Sequence, residues 1–154
     1  MALGNLDIAR TWDNSKNQTV VSDWMEISQK QIDAFAEATG DHQWIHKDTT
    51  RSAASPFGGP IAHGLLILSC ALRLTRESGV LTDKTWVICG YDKLRFRSPV
   101  RPGKRIRCRA RVLDTCSVGT RSMSTIRLEI EIQGEKIPAL IADCSLLCLP
   151  ESGN

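Results

Sequence analysis

The chain has 154 residues, 42% of them hydrophobic and 24% charged, with a net charge of +3. That length suits one domain with a single core, and the composition excludes a chain that is disordered throughout. The balance of 20 basic to 17 acidic side chains is too even to mark a nucleic-acid binder, but the charge is unevenly spread. Residues 93–111 carry nine basic side chains (Lys93, Arg95, Arg97, Arg101, Lys104, Arg105, Arg107, Arg109 and Arg111) and no acidic one, leaving 11 basic against 17 acidic elsewhere. The first residues lack the basic-then-apolar order of a secretory signal. The longest nearly apolar run, Ile61 to Leu72, is too short to cross a bilayer and reads as a buried helix. The six cysteines, at positions 70, 89, 108, 116, 144 and 148, show neither CxxC nor zinc-ligand spacing. They are expected to be reduced core residues of a cytoplasmic protein.

Residues 1–26 are weakly patterned and read as an extended lead-in, with Trp12 and Trp24 as packing anchors. A helix follows. Ser28 and Gln31 form a capping box, Ile27 and Ile32 a hydrophobic staple, and Gly40 the left-handed stop. Residues 41–60 are loop-rich, with one turn of helix expected around 49–54; the prolines and glycines of Ser55 to Pro60 exclude regular structure there. A second helix is expected from Ala62 to Ser78. Its first turns are apolar nearly all round (Leu65, Leu66, Ile67, Leu68, Ala71, Leu72), so it should be enclosed. Thr85 to Cys89 is a short strand candidate, with Tyr91 and Asp92 in a turn after it. From there apolar and charged residues alternate: Leu94 and Phe96; Ile106, Cys108, Ala110 and Val112; Ile126, Leu128, Ile130 and Ile132. A period of two marks half-buried antiparallel strands. Gln133-Gly134 is a turn, and 137–149 a further strand. One buried helix with four or five long strands suggests an α+β plan, a curved sheet wrapped around the helix.

The chemistry concentrates in two blocks, Gly40-Asp41-His42-Gln43-Trp44-Ile45-His46 and Phe57-Gly58-Gly59-Pro60-Ile61-Ala62-His63-Gly64. In the first, a loop past a helix end can turn Asp41 and His46 towards one water, as a general acid–base pair. The same residues also suit a turn aspartate and a surface histidine. In the second, a stiff loop delivers the chain to a helix start, where the first backbone N–H groups lack internal partners and sit at the positive end of the dipole. Gly64, with no side chain, would let a ligand oxygen approach its N–H, as an oxyanion hole requires. Equally, the glycines could serve only tight turns and close helix packing.

Together the blocks resemble those of the MaoC-like dehydratases, the (R)-specific enoyl-CoA hydratase family. Members carry Gly-Asp-x-Asn-Pro-hydrophobic-His followed at a distance by Pro-Ile-x-His-Gly. The run Ala38 to His46 is similar to the nodulation-protein-N-like branch and to mycobacterial-type 3-hydroxyacyl-thioester dehydratases. The downstream Leu94-Arg95-Phe96-Arg97-Ser98-Pro99-Val100 and Pro102-Gly103 belong to the same resemblance, which spans about 20–150. It implies a hot-dog fold, usually dimeric, in a single domain over 1–154, with 1–20 as lead-in and 150–154 as tail. It also implies reversible hydration of trans-2-enoyl thioesters of coenzyme A or acyl carrier protein to (R)-3-hydroxyacyl thioesters. Carried over by position, Asp41 and His46 are the catalytic pair and the Gly64 N–H binds the thioester oxygen. No metal and no cofactor are expected. Gln43 and Trp44 replace the family's Asn and Pro. Gln43 keeps an amide on a longer arm, and Trp44 floors the acyl channel or simply packs.

His42 reads as solvent-facing or as backing the site residues, His63 as a hydrogen-bonded structural histidine shaping its loop, and Ser69 as a buried serine bonding back to its own helix, though it could also face the pocket. The basic tract is a solvated strand face, or a seat for the carrier's phosphates or acidic surface, with Arg95 and Arg97 as candidate contacts. With Phe96 its only aromatic, it is a poor nucleic-acid surface. Two rival functions remain: a hot-dog thioesterase, which would release free thiol, and a non-catalytic acyl-thioester-binding subunit.

Overall fold

A computed structural model describes residues 19–81, 84–118 and 121–149; Trp12, most of the lead-in and the tail lie outside these residues. Four long strands, β3 (Trp86–Phe96), β4 (Arg105–Val118), β5 (Arg121–Ile132) and β6 (Leu140–Cys148), form an antiparallel sheet with two short ones, β1 (Val20–Val21) and β2 (Met25–Glu26). The spatial order is β1-β4-β5-β6-β3, and β2 also pairs with β4. The helices are α1 (Gln29–Thr39), α2 (Trp44–Lys47), α3 (Thr49–Ala53) and α4 (Gly64–Glu77).

The alternation on β4, β5 and β6 dictates the core. Ile106, Cys108 and Ala110 on β4, Ile126, Leu128 and Ile130 on β5, and Leu140, Ala142, Cys144 and Leu146 on β6 are at most 1% exposed. These side chains and the buried face of α4 (Leu66, Ile67, Leu68, Ala71, Leu74) form one cluster. A fully buried side chain of this kind contributes about 1.5–3 kcal/mol relative to exposure, so the sheet and α4 stabilise each other. This is the expected α+β hot-dog plan. The enclosure of α4 is incomplete, however: Leu65 is 58% exposed and Ser69 is exposed, because the sheet covers only one side of the helix in the single chain.

α1 begins and ends as the sequence dictates. Ser28 accepts from the Gln31 N–H while Gln31 accepts from the Ser28 N–H, and Gly40 closes the helix at φ 74°. The expected break at Tyr91 and Asp92 does not occur. β3 runs through them as one strand, with register shifts between Ile88 and Gly90 and between Asp92 and Arg95. Lys93 takes up the second irregularity at φ 52°, an unusual conformation for a residue with a side chain. It lies beside a charge cluster: Asp143, 3% exposed, accepts both prongs of the Arg127 guanidinium at 2.7 and 2.9 Å, and the Lys93 amine is 3.4 Å away.

All six cysteines are free. Cys108, Cys144 and Cys148 are buried as expected, but Cys89 and Cys116 are exposed and Cys70 is half-buried, so not all are core residues. Among the described residues, no helix is long and apolar enough to cross a membrane.

Candidate active site

The loop after α1 and the loop before α4 meet. The Ile61 N–H bonds the Ile45 carbonyl at 3.0 Å, and the Ala62 N–H bonds the Val100 carbonyl at 2.7 Å. This two-residue clasp ties three chain segments together: 41–46, 61–64 and 96–100. The Gln29 side chain adds a bond from α1 to the His46 carbonyl at 2.9 Å.

The clasp sets the imidazole of His46, which is 5% exposed. Its Nδ1 lies 2.7 Å from the Ile61 carbonyl oxygen. A carbonyl only accepts, so Nδ1 carries the proton and, in the neutral ring, Nε2 keeps its lone pair. That Nε2 faces Asp41 Oδ2 at 3.9 Å, too far for a direct hydrogen bond and suited to a shared water. The Gln43 amide donates to Asp41 Oδ1 at 3.0 Å, which turns Oδ2 towards the imidazole. That bond holds the Asp41 carboxyl below the ordinary range; desolvation opposes it, and the Gln43 backbone and the two nearby histidines add to it. Asp41 is therefore an acceptor at neutral pH, and the oxygen and nitrogen that face each other are both proton acceptors.

His63 belongs to this group, which its sequence reading as a loop-shaping residue did not foresee. It is 3% exposed and stacks on His46 with ring centroids 3.6 Å apart. Its Nε2–H donates to the Asp41 backbone carbonyl at 3.0 Å, while its Nδ1 is buried with no hydrogen-bond partner among the described residues. The loop-shaping role is thus real, and it fixes the aspartate. The signal was present in the sequence, since His63 sits inside the second block. Asp41, His46 and His63 each offer a donor atom within 4.8 Å of the others, a spacing compatible with a metal-binding cluster. In the hydrogen-bonded arrangement His63 Nε2 is committed to the Asp41 carbonyl.

Beside His46 opens a cleft of about 410 Å³, within the range of small-ligand sites. Its lining includes Ile45, His46, Phe57, Ile61, Gly64, Leu65, Phe96, Arg97 and Val100. Gly64 is the first residue of α4, after His63 as N-cap with no side-chain cap. The helix-terminal N–H groups therefore lie beside the same cleft as the imidazole.

The sequence candidates divide. His46, Gly64 and Arg97 line the cleft, and Asp41 and Gln43 adjoin it through His46. Trp44 and Arg95 are not among its lining residues. Trp44 instead lies under the Arg51 guanidinium at 4.3 Å, which favours packing over a channel floor. The Arg95 guanidinium folds back to the Leu94 carbonyl at 2.7 Å. His42 is exposed, 3.6 Å from Glu37, as expected; Ser69 bonds the Leu65 carbonyl within its helix as expected, but it is exposed where a buried serine was expected. The arginines of β4 face outward, and β5 partly neutralises them. Arg107 and Arg109 reach Glu131 at 2.5 and 3.5 Å, and Arg107 lies over Trp24.

Comparison with known proteins shows the family. The family profile described as "MaoC like domain" matches residues 12–134. The chain belongs to the MaoC-like family. It is 38% identical over 124 residues to 3-hydroxyacyl-thioester dehydratase Z of Mycobacterium tuberculosis, covering 79% of this chain and 82% of that one. It is 44% identical over 128 residues to nodulation protein N of Rhizobium meliloti, covering 79% and 78%. Among solved structures it superposes on the (R)-hydratase of A. caviae with a TM-score of 0.71 at 22% identity, covering 86% of this chain and 95% of that one. The last likeness supports the fold.

Proposed function

We propose that this protein is a hydro-lyase that reversibly hydrates trans-2-enoyl thioesters of coenzyme A or acyl carrier protein to the (R)-3-hydroxyacyl thioesters. The observation that carries the reading is the pair of acceptors, His46 Nε2 and Asp41 Oδ2, 3.9 Å apart beside a cleft that also holds the start of α4. A water between them donates one hydrogen to each and points its oxygen lone pairs outward. Its oxygen attacks C3 of the enoyl group while His46 Nε2 takes a proton. Electron density moves through C2 to the thioester oxygen, which the helix-terminal N–H of Gly64 stabilises. His46 then returns the proton to C2, so that OH and H have added across the double bond. Asp41 is already ionised and so is not the initial proton donor; it orients the water and balances the charge of the imidazolium. Removing one oxyanion donor of this type costs about 10²–10³ in kcat.

Arg97, in the cleft lining, is the candidate contact for the anionic carrier. The protein is expected in the cytoplasm and as a homodimer. β3 is an edge strand paired only with β6 among the described residues, and its Val87 and Ile88 are 41% and 45% exposed. An unpaired apolar edge of this kind invites a second strand. Light scattering should give twice the 17.0 kDa chain mass, and a monomer would refute the dimer.

The deciding experiment is hydration of a series of trans-2-enoyl-CoA lengths, with chiral analysis of the product and a parallel assay for released thiol. Formation of the (R)-3-hydroxyacyl product without thiol is expected. Thiol release would mark a thioesterase, and tight binding without turnover would mark an acyl-binding subunit.

A further inference from the structure

Gly64 does not need to be glycine for its backbone, since it lies in ordinary helix and is not among the positive-φ glycines. The reason is space. A Cβ at this position would lie 2.8 Å from Cε1 and 2.9 Å from Cδ1 of Phe96, closer than real Cβ atoms come to a neighbour. The ring of Phe96 therefore rests directly on the first residue of α4. Its backbone is fixed, because Phe96 is in register with Leu140 and the next N–H, that of Arg97, bonds the Ala139 carbonyl at 2.8 Å. The ring itself is 51% exposed.

We propose that Phe96 is a specificity-determining residue of the cleft. Its ring, seated on Gly64, walls the space beside the helix-terminal N–H groups, and this seat is why position 64 is glycine. The inference rests on the enoyl-thioester reading. A thioester oxygen bound at the Gly64 N–H brings its carbonyl carbon, and with it C2, alongside the ring. An unbranched C2 fits there, and a methyl on C2 meets the phenyl edge. Phe96 acts by shape, with no proton to give or take.

The test is a double-mutant cycle of Gly64→Ala, Phe96→Ala and the double variant, assayed with crotonyl-CoA and its 2-methyl analogue. Gly64→Ala should displace the ring and lower kcat/KM for crotonyl-CoA at least tenfold. The same change made in the Phe96→Ala background should cost severalfold less, because the methyl no longer meets the ring and only its effect beside the N–H remains. Phe96→Ala should raise the rate on the 2-methyl substrate relative to crotonyl-CoA about tenfold or more, as expected for relief of one methyl-sized exclusion. Melting temperatures give an arm that does not depend on turnover: Gly64→Ala should lower Tm in the wild-type background and not in Phe96→Ala. Equal effects of Gly64→Ala in the two backgrounds, on rate or on Tm, would overturn the seat. An unchanged substrate ratio would overturn the specificity role. A wild-type protein that hydrates no member of the trans-2-enoyl-CoA length series while the Tm coupling holds would refute the enoyl-thioester reading and leave the contact standing.

Discussion

His46→Asn separates the chemistry of the imidazole from its structural role. The Asn amide nitrogen can take the place of Nδ1 and still donate to the Ile61 carbonyl, which His46 meets at 2.7 Å. The acceptor at Nε2 is lost. A positioned general base contributes typically 10²–10⁴-fold, so kcat should fall by that factor, a barrier increase of about 2.7–5.4 kcal/mol. KM should stay within about threefold, since the substrate's oxygen and carrier are bound elsewhere. Some stability goes as well, because the ring that stacks on His63 at 3.6 Å is removed from a site only 5% exposed. His46→Ala should cost a further 1–3 kcal/mol of stability by leaving the Ile61 carbonyl without its donor. The assay is loss of the conjugated enoyl-thioester absorbance, with thermal melts alongside. If His46→Asn keeps more than a tenth of wild-type kcat, Nε2 is not the base.

The other predictions concern charge, stability and capping. Arg97→Gln, in the cleft lining, should raise KM several-fold with kcat little changed, most strongly at low salt, whereas Arg109→Gln, already close to Glu131, should leave kinetics unchanged. Asp143→Asn should lower Tm at neutral pH by weakening its bonds to Arg127. Those bonds, with Lys93 adding to them against the cost of burial, hold the Asp143 carboxyl below its ordinary range. The charge-dependent stabilisation is thus present above the unfolded-state value near 3.9 and is lost as pH falls through the lower folded value, so wild type and Asp143→Asn should converge in stability in acid. Ile130→Ala, at a fully buried position of β5, should cost about 2–5 kcal/mol in chemical denaturation. Ser28→Ala should cost about 1 kcal/mol through the lost cap.

Much of this molecule was legible because its rules are local. Ser28, Gln31 and Gly40 fix both ends of α1 over a short stretch of chain, and the alternation from Arg105 to Val112 names the inward face of β4 directly. The features missed were those in which distant segments decide. β3 continues through Asp92 because β6 pairs with it on either side of two irregularities, and no local pattern announces a bulge absorbed by Lys93. α2 is a single turn inside a stretch that reads as loop, anchored by Gln29 from α1. His63 reaches the carbonyl of Asp41, 22 residues back, only because the clasp at Ile61 and Ala62 closes the loop between them. The glycine at 64 was legible, but its reason was not, since Phe96 arrives from the far end of β3.

That clasp also bears on how the site comes apart. The Ile61 amide reports contact with the segment bearing His46, and the Ala62 amide reports contact with the segment after β3. Two adjacent residues thus bond to two different segments, so the frame of the site is held on both sides of the helix start. Hydrogen exchange should show Ile61 and Ala62 opening as one event, slower than the surrounding loop and with a single free energy. Substitutions around the cleft wall can then change which acyl groups are admitted while the backbone frame of the acid–base pair keeps its protection.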